Sequence, residues 1–362
     1  MSKRYDAAEL QQFASEMFQR AGLAAERAEV MAKVFLQADL LGFTTHGMNR
    51  VASNLGWLLD GESRKEGEPH LLTDRGNCFN WDADFLPGPW VLTLAIEQAL
   101  QRVPEHGVVT ATIRRSQHVA CLAAYLPPIV EAGYVAILTC STPAENTVSP
   151  QGSRDPLFSA NPLAFAAPAG DYPLLFDISM SVTAGGYVAR AQREGRKMPQ
   201  PCLKDSEGNI SDDPAAFKNG GSILPVGGAD HGYKGAALSA MLEVLSMALG
   251  GYGRADTAAK DDDEANSVFL QIIDPQAFGS RADFLRQTVT LCDLWENSRS
   301  DSDSPVRVPG QRAWAARAQQ LREGVELYPS IMEDLRPWAE KLGVPMPRPC
   351  DRTTAADKEG NS

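Results

Sequence analysis

Helical patterns alternate with short buried strands through the middle of this 362-residue chain, and this alternation restricts its fold more than any other feature. The stretch 89–103, PWVLTLAIEQALQRV, has apolar residues at helical spacing, and GVVTATI at 107–113 has the β-branched alternation of a strand. The segment 118–142, HVACLAAYLPPIVEAGYVAILTCST, repeats this order, with two prolines that can interrupt its helix. Repeated units of helix and strand predict an α/β fold.

Both ends of the chain are predicted to be helical. Apolar residues at helical spacing predict helices over 6–21 and 24–41, with Gly42 ending the second, and further helices over about 311–342. Between these ends, residues 143–233 are rich in proline and glycine, which is typical of loops that bind ligands. Polar composition predicts two solvated loops and a disordered tail, at 256–267, 298–305 and 351–362.

The charge balance of the chain argues against several classes of partner. Lysine and arginine number 34 against 46 aspartates and glutamates, a formal net charge of -12. Basic residues are nowhere concentrated with interleaved aromatic residues, so we expect neither nucleic acid nor an anionic membrane as a partner. A small anionic substrate remains compatible with this charge, because a pocket needs only one or two well-placed cations.

The sequence predicts a cytoplasmic protein. Its start, MSKRYDAAELQQF, lacks the apolar core of a signal peptide, and no run approaches the length of a membrane span. Six cysteines lie far apart, without the paired spacing of a zinc site, so we expect reduced thiols and no metal.

His46 is the first candidate for chemistry. His46 stands between Thr45 and Gly47. Arg50 lies four residues after His46, a spacing that would place the side chains of His46 and Arg50 on one helix face. An imidazole that moves a proton beside a guanidinium that binds a carboxylate suits a 2-oxo or 2-hydroxy acid. A histidine near a helix start is also often a cap or a packing residue, and the spacing alone leaves both interpretations open.

Two further segments are candidates for a site. Asp177 ends the apolar run PLLF, where a carboxylate can orient a histidine or simply cap the next helix. The stretch 223–239, ILPVGGADHGYKGAALS, combines glycines with Lys234 just before a strong helical pattern, so its backbone amides could surround a phosphate. The usual dinucleotide motif GxGxxG is absent. A glycine-rich turn before a helix is as often a simple connection that binds no ligand.

Taken together, these segments resemble the type-2 malate/L-lactate dehydrogenase family. The likeness runs in the family's order from about residue 5 to 345. The matching segments are ADLLGFTTHGMNR, SQHVACLAAY, FSANPLAFAAP, PLLFDISMS, KDSEGNISDDP, LPVGGADHGYKGAALS, FLQIIDPQAFG and VPGQRAWAARAQQLREGVEL.

The resemblance implies an architecture and an activity. It implies a non-Rossmann nucleotide-binding domain over 119–279 and a mostly helical domain, for dimerisation and the catalytic histidine, formed by 1–118 together with 280–350. It also implies a homodimer that transfers hydride between NADH or NADPH and a small 2-oxo, 2-hydroxy or cyclic imino acid.

The resemblance also implies residue roles. His46 would donate the proton, supported by Thr45 and Asp177, while Arg50 holds the substrate carboxylate. Two further residues would line the substrate pocket, His118 and Asn161. The cofactor would be bound by Ser179, Ser181, Gly227, Gly228, Lys234 and Gly235.

Several positions depart from the family's pattern. The motif His-x-Gly-x-x-Gly has alanine at both glycine positions here, Ala120 and Ala123, and each adds a methyl where backbone and cofactor should touch. Met180 stands where a hydroxyl is common, Tyr187 where the family has lysine and Ala160 where it has threonine. Gly88-Pro89-Trp90 also departs from the usual small residues. Either the pocket is adapted to an unusual substrate, or nicotinamide binding is weakened or lost.

Two alternatives to a dehydrogenase therefore remain. An isomerase, cyclase or lyase would keep the acid/base groups without hydride transfer, and would bind a carboxylate but not NADH or NADPH. A catalytically silent dimer would only bind a metabolite or a partner, and replacing His46 with alanine would then change nothing beyond stability.

Overall fold

The computed structural model describes residues 3–257 and 265–350 of the chain. The α-helices are α1 (Ala7–Arg20), α2 (Ala25–Leu40), α3 (Val51–Asp60), α4 (Gly88–His106), α5 (Leu126–Glu131), α6 (Gly185–Arg193), α7 (Pro214–Lys218), α8 (Gly228–Glu243), α9 (Arg254–Thr257), α10 (Arg281–Glu296), α11 (Gln311–Glu323) and α12 (Pro329–Leu342). The strands are β1 (Lys3–Tyr5), β2 (His70–Asp74), β3 (Cys78–Asp82), β4 (Val108–Ser116), β5 (Val135–Ser141), β6 (Leu163–Ala167), β7 (Leu174–Ile178), β8 (Leu203–Lys204), β9 (Ile210–Ser211), β10 (Ser222–Ile223), β11 (Asn266–Ile273) and β12 (Val325–Leu327).

A seven-stranded mixed sheet, in the order β2-β3-β4-β11-β5-β6-β7, forms the centre of the molecule. Only the β3–β4 pair within it is parallel. The strands predicted from GVVTATI and YVAILTC are β4 and β5, and β11 lies between them. Helix α4 packs on this sheet, so the predicted α/β class is confirmed.

The two ends of the chain meet beside this sheet. Strand β1 pairs antiparallel with β12, and α12 contacts α1 and α3. Buried aromatic residues fill the space between the first two helices, with the rings of Phe18 and Phe35 5.9 Å apart. Burial of such side chains, worth about 1.5–3 kcal/mol each, holds the terminal helices against the core.

The predicted domain boundary near residue 118 falls just after β4, inside the main sheet, since β2, β3 and β4 share this sheet with β5, β6 and β7. The division into two domains stays a prediction. The polar segment 298–305 connects α10 and α11 as an exposed loop. The predicted tail at 351–362 and most of the predicted acidic loop at 256–267 lie outside the described residues.

Two properties of the described chain bear on its environment. Its helices include none with the length and apolar character that a bilayer crossing requires. All six cysteines are free thiols, and four of them are buried.

Candidate active site

His46 lies in a tight turn between two helices. Helix α2 ends at Leu40, Gly42 follows in the left-handed region with φ 86°, and two short 3-10 turns then lead into α3. Within this turn Oγ1 of Thr45 lies 2.8 Å from Nδ1 of His46. No group in the described part of the chain hydrogen-bonds Nε2, so this nitrogen is available to a ligand.

The structure brings His118 against His46. Their rings stack with centroids 5.8 Å apart and planes 13° apart. Nδ1 of His118 accepts the backbone N–H of Ala120 at 3.0 Å, which places the proton of the neutral ring on Nε2. The close approach of α4 requires Gly88, because a Cβ there would lie 2.1 Å from the Gln117 carbonyl oxygen.

Burial, and after it the charge of Arg50, set the electrostatics of this pair. Burial first, and the Arg50 guanidinium second, lower the pKa of His46 to about 4. Burial and the same guanidinium hold the pKa of His118 well below its usual value. Two stacked, neutral imidazoles therefore lie near a permanent positive charge at neutral pH, an arrangement suited to an anionic ligand.

Asp177 lies at the end of β7 and contacts a different partner from the one expected. Its carboxylate accepts the backbone N–H of Ala123 at 2.9 Å and the Cys121 thiol at 3.4 Å. Burial raises its pKa. It makes no hydrogen bond to His46 in the described structure, so its predicted support of that histidine stays a prediction.

Asn161 is fully buried in a polar network that the sequence did not indicate. Its amide oxygen accepts from the Ser159 hydroxyl at 2.6 Å, and its amide donates to the Glu243 carboxylate at 3.1 Å. Glu243 in turn forms an ion pair with Arg254 at 2.6 Å. The side chain of Asn161 is thus occupied by protein partners, and a direct role in substrate binding stays a prediction.

The predicted cofactor residues come together at the start of α8. Val182 donates its N–H to the Leu224 carbonyl and Val226 donates to that of Met180, both at 2.9 Å, so the Ser179–Ser181 segment lies beside the chain entering the glycine-rich turn. The Ser181 hydroxyl donates to the Thr183 carbonyl at 2.8 Å.

The glycine-rich turn has the shape of an anion site. Gly227 and Gly228 have φ of 98° and 64°, a conformation that disfavours other residues. No described acceptor takes the N–H groups of Ala229 and Asp230, so two amides are open in the short turn Gly228–Asp230, which a kink at His231 separates from the rest of α8.

The glycine-rich turn is also packed tightly. A Cβ on Gly235 would lie 2.5 Å from the Val226 nitrogen, while Lys234 one turn into α8 is exposed. These residues fit a phosphate-bearing cofactor. The described residues contain no group of three His, Cys, Asp or Glu side chains able to hold a metal ion.

The two alanines at family glycine positions differ in conformation. Ala120 has φ 61°, in the left-handed region that favours glycine, whereas Ala123 lies in the 3-10 turn Leu122–Tyr125. We expect Ala120→Gly to stabilise the protein by up to about 1 kcal/mol, since relief of about 1–2 kcal/mol of strain exceeds the entropic cost of glycine. Ala123→Gly is the matched control and should lower stability. Urea unfolding measures both, and equal effects would contradict the strain.

Asp39 is a residue near the site that the sequence analysis did not single out. It is 0% exposed near the end of α2, and its Oδ2 accepts the Met48 N–H at 2.6 Å. The signal available in the sequence is a charged residue inside the otherwise apolar helical pattern ADLL.

Asp39 should make stability depend on pH. Burial raises its pKa from 3.8 to about 8, so between these values the folded state keeps a proton that the unfolded state releases. Stability therefore falls as pH rises through this window. The variant Asp39→Asn lacks this term, so its free energy of unfolding relative to wild type should increase from pH 5 to pH 8. Urea unfolding at both pH values measures it, and a constant difference would contradict a protonated Asp39.

Comparisons with known proteins agree with this picture. The malate/L-lactate dehydrogenase family matches residues 5–336. The chain is 33% identical over 335 residues to a Δ1-pyrroline-2-carboxylate/Δ1-piperideine-2-carboxylate reductase from Pseudomonas putida, covering 91% of this chain and 94% of the relative. It is 27% identical to a malate dehydrogenase from Pyrococcus abyssi, covering 93% and 94%.

A solved structure gives the same result. The crystal structure of Δ1-piperideine-2-carboxylate reductase from Pseudomonas syringae pvar. tomato superposes with a TM-score of 0.82 and 28% identity, covering 93% of this chain and 100% of that one. The resemblance and the fold predicted from the sequence are thus confirmed. The chain belongs to the malate/L-lactate dehydrogenase family and is an enzyme of the dehydrogenase and reductase class.

Proposed function

We propose that this protein is an NADH- or NADPH-dependent oxidoreductase of a small 2-oxo or 2-hydroxy acid or a cyclic imino acid, with His46 as the proton donor and acceptor. The observation that carries the proposal is the convergence of His46, His118 and Arg50: two stacked, neutral imidazoles close enough to the guanidinium for its charge to lower both pKa values. These groups can bind the substrate's carboxylate. They can also transfer a proton to or from the oxygen or nitrogen on the carbon next to that carboxylate.

Arg50 binds and orients the substrate. Its planar guanidinium can hold a carboxylate through two parallel hydrogen bonds, which fixes the plane of the neighbouring carbonyl or imine. The half-buried surroundings strengthen this pairing, because little water competes for the charge.

His46 moves the proton at Nε2. The protonated ring donates Nδ1–H to the Thr45 hydroxyl and Nε2–H to the substrate oxygen or nitrogen, and after the transfer the neutral ring keeps its proton on Nδ1. A carboxylate on Arg50 offsets one of the two causes that lower the pKa of His46, so substrate binding raises this pKa toward working pH. His118, with its own Nε2–H, donates a second hydrogen bond to the substrate.

The cofactor would be held by the start of α8 and the segment after β7. The residues proposed for this role are Ser179, Ser181, Gly227, Gly228, Lys234 and Gly235. A bound NADH or NADPH supplies the hydride that reduces the substrate carbon. The open amides of Ala229 and Asp230 in the turn before the His231 kink, together with the Lys234 ammonium, support a phosphate here.

Substrates follow from the same chemistry. A 2-oxo acid and a cyclic imino acid both present a carboxylate to Arg50 and a polarised sp² carbon beside His46. The names of the relatives, a malate dehydrogenase and a cyclic imino acid reductase, support testing both classes.

We also propose that the enzyme is a cytoplasmic homodimer. Helix α8 and the turn after it expose several apolar side chains, Leu238, Met241 and Val244, at 39%, 46% and 56%. Neighbouring exposed apolar residues of this kind often mark an interface. Light scattering coupled to size-exclusion chromatography should give twice the 39.1 kDa chain mass, and the mass of a single chain would contradict the dimer.

Titration of the purified protein with NADH and with NADPH tests the proposal, followed by nucleotide fluorescence and thermal shift. We expect micromolar binding of at least one, and its oxidation by pyruvate, oxaloacetate or Δ1-piperideine-2-carboxylate. Binding of neither cofactor at millimolar concentration would overturn the proposal. The methyl of Ala120, held in a glycine conformation, favours in that case cofactor-free acid/base chemistry by an isomerase, cyclase or lyase on an amino- or oxo-acid.

A further inference from the structure

We infer that Asp39 is a positioning residue for catalysis, whose buried carboxyl fixes the turn that carries His46. This inference rests on the proposed function, because it assigns Asp39 a role through the proposed acid/base residue. Asp39 would thus contribute to the rate without contacting the substrate, unlike His46, His118 and Arg50.

Two contacts join Asp39 to the turn. The Met48 N–H donates to Oδ2 at 2.6 Å, and Gly47 lies so close that a Cβ there would be 2.3 Å from the same oxygen. Met48 and Gly47 follow His46 directly in sequence. The carboxyl therefore contacts the backbone on which the imidazole is mounted.

The backbone of Asp39 is itself held by a hydrogen bond from another helix. Its carbonyl oxygen accepts the side-chain amide of Gln320, on α11, at 2.7 Å. This bond links the end of α2 to a helix from the other end of the chain. The Asp39 carboxyl that contacts the Gly47–Met48 turn therefore lies at a helix end that is hydrogen-bonded to α11.

The position is an unfavourable one for a carboxyl, judged by stability alone. Oδ1 is buried and has no hydrogen-bond partner in the described part of the chain. Burying a polar atom without a partner destabilises a fold, and an apolar side chain would avoid this cost. The contribution that an apolar residue could not make is the hydrogen bond to the turn.

Steady-state kinetics with NADPH and Δ1-piperideine-2-carboxylate test the inference in three variants. Asp39→Ala removes the contact, Asp39→Asn keeps an acceptor oxygen for Met48, and Met31→Ala makes a cavity two turns earlier in α2 as a stability control. We expect Asp39→Ala to lower kcat on the order of tenfold or more with a smaller change in KM, because small misplacements of reacting groups cost rate. Asp39→Asn should retain most of kcat, and Met31→Ala should lose stability without losing kcat.

A second measurement, the pKa of His46, reports on the turn and does not require catalysis. NMR titration of labelled histidines, with the His46 signal assigned by its loss in His46→Gln, should place the pKa of His46 near 4 in the wild type. In Asp39→Ala this pKa should rise toward its usual value as water reaches the ring, while Met31→Ala leaves it unchanged. If Asp39→Ala behaves as Met31→Ala in both kcat and this titration, Asp39 is only structural and the inference is overturned.

A double-mutant cycle keeps the test decisive if Asp39→Ala folds poorly. Gly47→Ala alone should displace the turn and lower kcat, and in an Asp39→Ser background, which leaves room for the methyl, its effect should shrink severalfold. Additive effects would contradict coupling through this contact. Failure of the proposed function is recognised separately, since the wild type would then oxidise neither NADH nor NADPH, or His46→Gln would leave turnover intact.

Discussion

Replacing His46 with glutamine will lower kcat for reduction by about 10²–10⁴-fold, the usual contribution of a positioned acid/base group. Glutamine keeps a polar side chain of similar reach but cannot donate and recover a proton near neutral pH. Binding of NADH or NADPH should change little, because the residues proposed to hold the cofactor lie at the start of α8 and in the segment after β7, outside the His46 turn. Stopped-flow measurement of nucleotide oxidation, combined with fluorescence titration of the nucleotide, separates the two effects.

His70→Gln is the matched control for this experiment. His70 is an exposed histidine in the edge strand β2, so its loss should leave kcat and stability unchanged. A His46→Gln enzyme that turns over at the wild-type rate would exclude His46 as the proton donor and leave the histidine as a packing residue of the turn.

Replacing Arg50 with methionine will lower kcat/KM for a carboxylate substrate by about 10²-fold or more, mainly through KM. Hydrogen bonds to charged groups are worth about 1.5–3 kcal/mol, and each 1.4 kcal/mol corresponds to a factor of about ten. Arg50→Lys should recover part of the loss, because an ammonium keeps the charge but not the planar pair of donors. The pKa of His46 should also rise in Arg50→Met, because the guanidinium is one of the two causes that lower it.

Steady-state kinetics and histidine NMR together check this prediction. Arg20→Met, which removes an exposed arginine at the end of α1, controls for the loss of one surface charge. An unchanged KM in Arg50→Met would mean that another cation binds the carboxylate.

The central strands show how far local sequence determines the fold. Alternating β-branched residues locate β4 and β5 because each strand's burial depends mainly on its own side chains. Their order in the sheet does not follow from that pattern. Strand β11 separates β4 from β5 and runs antiparallel to both, and this depends on contacts between segments far apart in sequence.

The predicted site residues divide in the same way. The glycine-rich start of α8 is a local motif that the structure has where the sequence places it. His46 and Arg50 do not share one helix face as expected, because Gly47 divides their segment into two 3-10 turns. Asp177 and Asn161 were chosen for their residue type and position, yet their hydrogen bonds go to Ala123 and Glu243. A side chain's partner is set by whichever segment folds against it, which a local pattern does not contain.

The sequence by itself determined the α/β class, the family and the residues that neighbour His46 in the chain, because these depend on spacing within short segments. Only the tertiary structure decided that His118 stacks on His46 and that Asp39 lies beneath its turn. It also gave Ala120 a left-handed backbone, which its neighbours impose. The physical reason is the same for His118, Asp39 and Ala120. Packing against segments distant in sequence determines where a group lies and whether it is charged, whereas sequence spacing determines only the face of a helix or strand on which a side chain lies.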